Sequence, residues 1–186
     1  MGIILASGSP RRRELLTLAG IEFKVVKSDT EEILPDGISP DEAVRLLAKE
    51  KALDVLKQYP DEIILAADTV VAADGKILGK PKDSEDAFSM LRMLSGRVHG
   101  VYTGVCITSK DKTDLFTEMT EVEFYPLTDS EIREYVETGE PMDKAGAYGI
   151  QGKGSLLVKG IKGDYFNVVG MPLAKTVREL RNFTQK

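Results

Sequence analysis

The segment ILASGSPRRRELL, residues 4–16, constrains the fold most strongly because it joins an apolar run directly to the start of a helix. Residues 3–6 predict a short buried strand. Ser9 suits the N-cap of a helix and Pro10 suits its first position. A strand that passes into a helix through so short a turn is typical of α/β proteins.

Further helices are predicted by capping signals and apolar spacing. Ser39 and Thr128 each stand three residues before a glutamate, which is the capping-box spacing of a helix start. Residues 83–94 carry apolar side chains at helical spacing and end before Gly96. Pro172 begins a last segment with apolar residues on one side. Helices therefore recur along the whole chain.

Strand patterns lie between these helices. They are rich in β-branched or alternating apolar residues, and they cover residues 23–26, 62–67, 69–73, 101–107, 120–124, 156–159 and 167–169. Asp74-Gly75 predicts a hairpin turn. Helices and strands alternate early, and two long strands are adjacent later. We therefore predict one α/β domain over residues 1–186, with a mixed central sheet flanked by helices.

The composition argues against several classes of protein. The 186 residues include 25 Lys and Arg against 30 Asp and Glu, and the net charge of −5 is unlike that of nucleic-acid binders. His99 and Cys106 are the only residues of their types, which excludes a disulfide within the chain and a Cys/His zinc site. No apolar run approaches the roughly 20 residues of a membrane helix. We expect a cytoplasmic protein without membrane or nucleic-acid partners.

Arg11, Arg12 and Arg13 fall in the first turn of the first predicted helix, although the chain is acidic overall. Cations are unfavourable there because the helix dipole is positive at this end. The free backbone N–H groups of a first turn bind phosphate readily, and Gly8 lets the backbone approach an anion closely. This pattern predicts an anion site. The alternative is a solvated basic turn paired with surface carboxylates.

Asp68 and Lys51 are charged residues in apolar surroundings. Asp68 interrupts the run ILAADTVV, residues 64–71, where a buried carboxylate is costly unless a cation pairs with it. Carboxylates at strand ends also bind magnesium. Lys51 lies on the apolar face of the helix after Ser39, so it either extends to the surface or points towards Asp68. The alternative for Asp68 is a structural role in a turn.

The remaining candidates are weaker. Glu31 and Glu32 follow a predicted strand and either bind metal or are solvated. Lys80 is by default a surface lysine. His99 is either a general base or, as we favour, a structural side chain. Cys106 lies in an alternating strand and is most simply a packed core residue.

Neither standard nucleotide-binding motif is present. A P-loop requires G-x-x-x-x-G-K-[ST], whereas GKILGKP, residues 75–81, is one residue short and ends in proline. GIQGKG, residues 149–154, has its glycines in a different order from the dinucleotide fingerprint. A nucleotide site in this chain must therefore be of another type.

Four segments together resemble the Maf family of nucleotide pyrophosphatases. They are LASGSPRRRELL, ADTVV followed by GKILGKP, MLRMLSGRVHGVYTGV, and PMDKAGAYGIQGKG. They stand in order over nearly the whole chain, and GAYGIQG resembles the branch that hydrolyses dTTP and UTP. The resemblance implies an α/β fold of two lobes around a cleft, similar to the inosine triphosphate pyrophosphatases, and a homodimer.

The resemblance also implies roles for individual residues. Asp68 matches the catalytic aspartate, which accepts a proton. The residues that match substrate-binding positions are Arg11, Thr69, Gln151, Lys51, Lys80 and Glu32. The implied cofactor is Mg²⁺ or Mn²⁺, with Asp68 and Glu32 as its expected ligands.

The implied reaction converts dTTP, UTP or a modified pyrimidine nucleotide to the monophosphate and pyrophosphate. The family is also linked to septum inhibition and cell-division arrest. One alternative is therefore a regulator of septum formation that binds nucleotides without turnover. Another is a phosphatase that releases orthophosphate.

Overall fold

The computed structural model of the chain describes residues 1–184, which divide into two compact units. The first unit consists of residues 1–69, residues 103–118 and the stretch from Gly170 onward. The second unit consists of residues 70–102 and 119–169. The chain thus enters each unit more than once, and the prediction of a single domain stays a prediction.

Six α-helices are present in the described part of the chain, and local capping accounts for their starts. They are α1 (Pro10–Leu18), α2 (Pro40–Gln58), α3 (Ser84–Leu94), α4 (Asp129–Glu137), α5 (Tyr165–Val169) and α6 (Leu173–Thr184). Ser39 and Thr128 form the predicted capping boxes, with reciprocal hydrogen bonds to the glutamates three residues on. Three 3₁₀ turns, Glu140–Asp143, Ala145–Ala147 and Gly152–Leu157, follow α4.

Within residues 1–184, seven strands form a mixed sheet, as predicted. They are β1 (Ile3–Leu5), β2 (Lys24–Val25), β3 (Ile63–Ala73), β4 (Lys76–Leu78), β5 (Val98–Thr108), β6 (Thr113–Phe124) and β7 (Val158–Lys162). The order is β2-β1-β3-β5-β6-β7, and β4 pairs with β3. β1 is parallel to β2 and β3, whereas the pairs β3–β4 and β6–β7 are antiparallel. The predicted hairpin turn joins β3 to β4, with positive φ at Asp74 and Gly75.

Each unit has a hydrophobic core of its own. The core of the first unit includes Ile4, Ala6, Ala48, Ala52, Val55, Ile64, Ala66 and Cys106. Small residues let α2 lie close to the strands: a Cβ at Gly104 of β5 would stand 2.3 Å from the Val44 carbonyl oxygen of α2. The second core is built from α3, α4, strand residues and the segment 147–157.

Three segments differ from the sequence prediction. Residues 156 and 157, predicted to begin a strand, end a 3₁₀ turn, and β7 begins at Val158. Residues 62–67 and 69–73 belong to one continuous strand, so Asp68 lies within β3 rather than at a strand end or in a turn. Residues 167–169 are helical and not a strand, because the Asp164 carboxylate accepts hydrogen bonds from the backbone N–H groups of Phe166 and Asn167. Among the described residues, none of the helices has the length and apolar character needed to span a bilayer.

Candidate active site

Lys51 connects two carboxylates in the first unit. Its Nζ donates a hydrogen bond to Oδ1 of Asp68 and lies 2.7 Å from Oε1 of Glu32. The exposed fractions of the side chains are 14% for Lys51 and 10% for Asp68, but 54% for Glu32. The pair Lys51–Asp68 is thus largely desolvated, whereas Glu32 reaches solvent. Removing either partner of so buried a pair would leave the other charge uncompensated, which is strongly destabilising.

The packing of α2 explains why Lys51 reaches Asp68. Leu47 and Val55, which flank Lys51 by one helical turn on either side, are both buried. Lys51 therefore projects from the packed face of the helix. The close approach at Gly104 brings that face down onto the strands. Of the two alternatives for Lys51, the orientation towards Asp68 is confirmed.

All three nitrogens of the Arg12 guanidinium donate hydrogen bonds, which link α1 to three other segments of the first unit. Nε donates to the Gly170 carbonyl at 2.9 Å, Nη2 to Thr69 Oγ1 at 3.1 Å, and Nη1 to Ser7 Oγ at 3.3 Å. Thr69 Oγ1 is also 2.9 Å from the hydroxyl oxygen of Thr103. The planar guanidinium presents its donors in a fixed geometry, so these hydrogen bonds orient Arg12 more firmly than they could orient a flexible lysine.

The charges of this cluster act on one another. Burial lowers the pKa of Arg12, and the nearby charge of Arg11 lowers it further, whereas the carboxylates of Asp68 and Glu32 raise it. The guanidinium nevertheless remains protonated at any physiological pH. Two arginines, a lysine and two carboxylates therefore share one region of the first unit. Such a cluster suits a ligand that carries several negative charges.

The start of α1 lacks the acidic and capping side chains that usually stand at a helix N-terminus. Its N-cap residue, Ser9, makes no side-chain capping hydrogen bond, and no acidic residue occupies the first turn. The backbone N–H groups of the turn are consequently not neutralised by a neighbouring carboxylate of the helix itself. The anion site predicted from the sequence at this turn stays a prediction.

The donor set fits a divalent cation of the magnesium type. Asp68 and Glu32 converge on one ammonium group, so two carboxylates lie together in this unit. No group of three or more His, Cys, Asp or Glu side chains suited to a metal is found within residues 1–184. Magnesium is commonly held by one or two carboxylates and completes its shell with water and substrate phosphates.

Comparison with known proteins gives the family. A sequence profile described as Maf-like protein matches residues 2–183. The chain belongs to the Maf-like protein family. A relative from Bacillus velezensis (strain DSM 23117 / BGSC 10A6 / LMG 26770 / FZB42) named dTTP/UTP pyrophosphatase is 54% identical over 184 residues, which cover 99% of this chain and 97% of the relative. One of the same name from Bacillus cereus (strain G9842) is 55% identical over 181 residues, covering 97% and 95%.

Two solved structures are more distantly similar to this Maf-like chain. The nucleoside-triphosphatase / dITP/XTP pyrophosphatase of Mycobacterium abscessus has a TM-score of 0.49 and 15% identity, and the match covers 97% of this chain and 95% of that one. The Ham1 protein of Staphylococcus aureus has a TM-score of 0.48 and 16% identity, with 67% and 72% covered.

The predicted site residues of this Maf-like chain fall into both units. Those in the first unit are Arg11, Glu32, Lys51, Asp68 and Thr69. Lys51 brings Glu32 and Asp68 together, and Thr69 joins the network through Arg12. Lys80 and Gln151 belong to the second unit, where both are exposed. That all of these residues serve one substrate stays a prediction.

The sequence analysis did not single out Arg12 from its two neighbours, nor Ser7, Thr103 and Gly170 as its partners. The helical period carries a signal for Arg12, because Leu15 and Leu16 lie three and four residues further on and are both buried. Arg12 therefore shares the inner face of α1. No comparable local signal points to the Gly170 carbonyl, which is 158 residues away.

His99 and Cys106 are structural in this Maf-like chain. His99 Nε2 is 2.8 Å from the Tyr148 hydroxyl, and the His99 ring packs edge-on against Phe124 and Tyr148. Burial lowers the pKa of His99 to about 4, so the imidazole is neutral at pH 7. Burial raises the pKa of the Cys106 thiol to about 12, which leaves it unreactive. The structural interpretations of both are borne out.

Proposed function

We propose that this Maf-like chain is a nucleoside triphosphate pyrophosphatase that hydrolyses dTTP and UTP to the monophosphate and pyrophosphate. The observation that carries the proposal is the buried Lys51–Asp68 pair beside Glu32 and Arg12. It supplies a carboxylate next to several cations, which is what hydrolysis of a polyanion requires. The name dTTP/UTP pyrophosphatase of the relatives at 54% and 55% identity supports the choice of substrate.

In this proposal the cations stabilise the phosphates. Arg11, Arg12 and Lys51 neutralise the triphosphate and the charge that develops on the pyrophosphate leaving group, and Lys80 contributes in the same way. Arg12 is held by three hydrogen bonds before any substrate arrives. Its charge is therefore already oriented, and little reorganisation is needed during the reaction.

Asp68 is the proposed proton acceptor. Oδ1 accepts from Lys51, while Oδ2 makes no hydrogen bond to a described residue. A water oxygen attacks the α-phosphorus and gives its proton to Asp68 as the new P–O bond forms. The bond to the bridging oxygen breaks, and pyrophosphate leaves with that electron pair. Lys51 holds the carboxylate in place throughout.

A divalent cation is the proposed cofactor, and Asp68 and Glu32 would hold it. When bound, Mg²⁺ or Mn²⁺ supplies charge neutralisation at the phosphates and polarises a phosphoryl oxygen. Lys51 contacts both carboxylates and fixes their spacing. Because Glu32 is more exposed than Asp68, we expect the ion to be exchangeable from the solvent side.

Arg11, Thr69 and Gln151 are the proposed specificity residues, as the family resemblance implies. Gln151 carries an amide with both a donor and an acceptor. These groups complement the O4 and N3–H edge of uracil or thymine. We further propose a cytoplasmic location, since nucleoside triphosphates are used in the cytoplasm, and a homodimer, as the family resemblance implies. Modified pyrimidine nucleotides are equally compatible substrates.

The test is to identify the phosphorus products. The purified full-length protein is incubated with Mg²⁺ or Mn²⁺ and a panel of nucleoside triphosphates, and phosphate species are separated by ³¹P NMR. Pyrophosphate and a monophosphate, mainly from dTTP and UTP, are expected. Orthophosphate would place the attack at another phosphorus. Binding without any product would instead favour the nucleotide-sensing regulator of septum formation.

A further inference from the structure

Gln151 stands in a short loop, residues 149–154, that is pinned on both sides by two side chains of the second unit. We propose that Tyr135 and Glu140 are positioning residues that fix this loop, the Gln151 loop, and thereby set the preference for pyrimidine over purine nucleotides. The inference rests on the proposed function, because it concerns the base that the same enzyme selects.

Glu140 holds the segment after Gln151. Its Oε1 accepts hydrogen bonds from the Gly154 N–H at 3.1 Å and from the Tyr135 hydroxyl at 3.0 Å. Its Oε2 accepts from the Lys153 N–H at 3.1 Å. One carboxylate thus satisfies two successive backbone donors and a phenol. Hydrogen bonds to an ionised acceptor are about twice as strong as those between neutral groups.

Tyr135 holds the segment before Gln151. It lies on α4 and is 4% exposed, and its hydroxyl oxygen accepts from the Gly149 N–H at 3.3 Å while donating to Glu140. A single chain of hydrogen bonds therefore runs from Gly149 through Tyr135 and Glu140 to Gly154. It ties together the two ends of the loop.

The backbone of the Gln151 loop is also closed sterically. A Cβ at Gly154 would stand 2.1 Å from the Gly149 carbonyl oxygen, so only glycine permits the two ends to meet. Gly152 has φ of +65°, and a Cβ there would lie 2.9 Å from a Glu140 carboxylate oxygen. The loop consequently has few alternative backbone conformations while Glu140 remains in place.

The charge state of Glu140 agrees with this role. Burial raises the pKa of Glu140, but the hydrogen bonds from Gly154, Lys153 and Tyr135 and the charge of Lys144 outweigh it, so the pKa is lowered. Glu140 is therefore ionised at neutral pH. Gln151 itself is exposed, and its side chain makes no hydrogen bond with the part of the chain that the structure describes. Its amide is available to a ligand.

A fixed backbone restricts the positions that the Gln151 side-chain amide can occupy. The hydrogen-bonding edge of a purine lies further from the sugar than the edge of a pyrimidine does. An amide that is held in one position suits one size of base, and we infer that it meets the pyrimidine edge and not the purine edge. If the loop shifts, the amide follows either base, and discrimination falls even though the amide is still present.

The experiment compares selectivity instead of total activity. The variants are Glu140→Gln, which replaces one acceptor with a donor facing Lys153, and Tyr135→Phe, which removes the hydroxyl. We expect the ratio of kcat/KM for dTTP to kcat/KM for dGTP to fall about tenfold or more in each. The KM for dTTP should rise more than kcat falls. Partial misfolding cannot produce this result, because it lowers both rates equally and leaves the ratio unchanged.

Matched controls and a second readout make the outcome decisive. Glu137→Gln on α4 and the exposed Tyr125→Phe should keep the wild-type ratio. In a Gln151→Ala background, Glu140→Gln should change the ratio no further. The ratio of Kd values for dTTP and dGTP, measured with Asp68→Asn protein, gives the same comparison without turnover. Unchanged ratios in both Tyr135→Phe and Glu140→Gln would overturn the inference while leaving the pyrophosphatase proposal intact.

Discussion

The two units use buried polar groups in opposite ways. In the first unit Lys51 and Asp68 form a largely buried ion pair, and Arg12 lies near the Asp68 carboxylate. In the second unit His99 and Tyr148 are neutral, hydrogen-bonded to each other and packed edge-on. The first arrangement presents charged groups to a ligand, whereas the second stabilises the packing of its unit. Changes in the first should therefore appear in kinetics as well as in stability, and changes in the second mainly in stability.

Asp68→Asn should give the largest effect. The substitution keeps the size of the side chain and removes its ability to accept a proton, while Lys51 retains Glu32 as a partner. We expect kcat with dTTP to fall about 10²- to 10⁴-fold. The Kd for dTTP, measured by titration calorimetry, should change far less. Asp61→Asn, on an exposed aspartate, is the control, and equal losses in both variants would remove Asp68 from the reaction.

Lys51→Met should affect both kinetics and stability. The change leaves the largely buried Asp68 carboxylate without its closest cation, which costs about 3 kcal/mol in comparable buried pairs. Urea unfolding measures this as a lower transition midpoint. Lys159→Met, which breaks the exposed pair with Glu123, should change the midpoint much less. Similar shifts in the two variants would mean that the Lys51 pair is as well solvated as a surface pair.

Local signals sufficed to predict much of the fold. The capping boxes at Ser39 and Thr128 depend on residues only three positions apart, and both form as expected. The Asp74-Gly75 turn likewise depends on adjacent residues. The helix at residues 165–169 was missed because its start depends on the Asp164 side chain, and the β-branched Val168 and Val169 favour a strand by propensity alone.

The candidate site was only partly predictable, because its contacts join distant parts of the chain. Lys51 and Asp68 were singled out as charges in apolar runs, but their contact depends on how closely α2 packs on the strands. That distance is set by Gly104, whose importance is visible only beside Val44. Residue type alone also cannot distinguish Arg12 from its neighbours Arg11 and Arg13. Only its spacing of three and four residues from the buried Leu15 and Leu16 indicates that Arg12 lies on the inner face of α1.

His99 provides the contrasting test in the second unit, through pH. Burial lowers the pKa of His99 to about 4 from an unfolded value near 6.5. Above about pH 6.5 the His99 imidazole is neutral in both the folded and the unfolded state, and its contribution to the free energy of unfolding is fully present. As the pH falls from 6.5 to 4, the unfolded state binds the proton first, so the free energy of unfolding decreases. Up to about 3 kcal/mol of stability is lost over this interval.

The measurement is urea unfolding of wild type and His99→Gln between pH 8 and pH 4. No other histidine is present, so the difference between the two curves isolates this group from the carboxylates that titrate lower. We expect the difference to diminish as the pH falls. Parallel curves would show that the pKa of His99 is the same in the folded and unfolded protein, and the contrast between the units would then be lost.

Arg12→Lys should give the smallest effect and sharpens the comparison within a single turn of α1. Lysine keeps the positive charge but cannot donate to Gly170, Thr69 and Ser7 together, so the charge is retained and its orientation is lost. We expect kcat/KM for dTTP to fall about tenfold, equivalent to about 1.4 kcal/mol of transition-state stabilisation. Arg13→Lys, on the exposed neighbour, should leave it unchanged. If both variants behave alike, only the net charge of the turn matters, and the hydrogen bonds of Arg12 position nothing that the reaction uses.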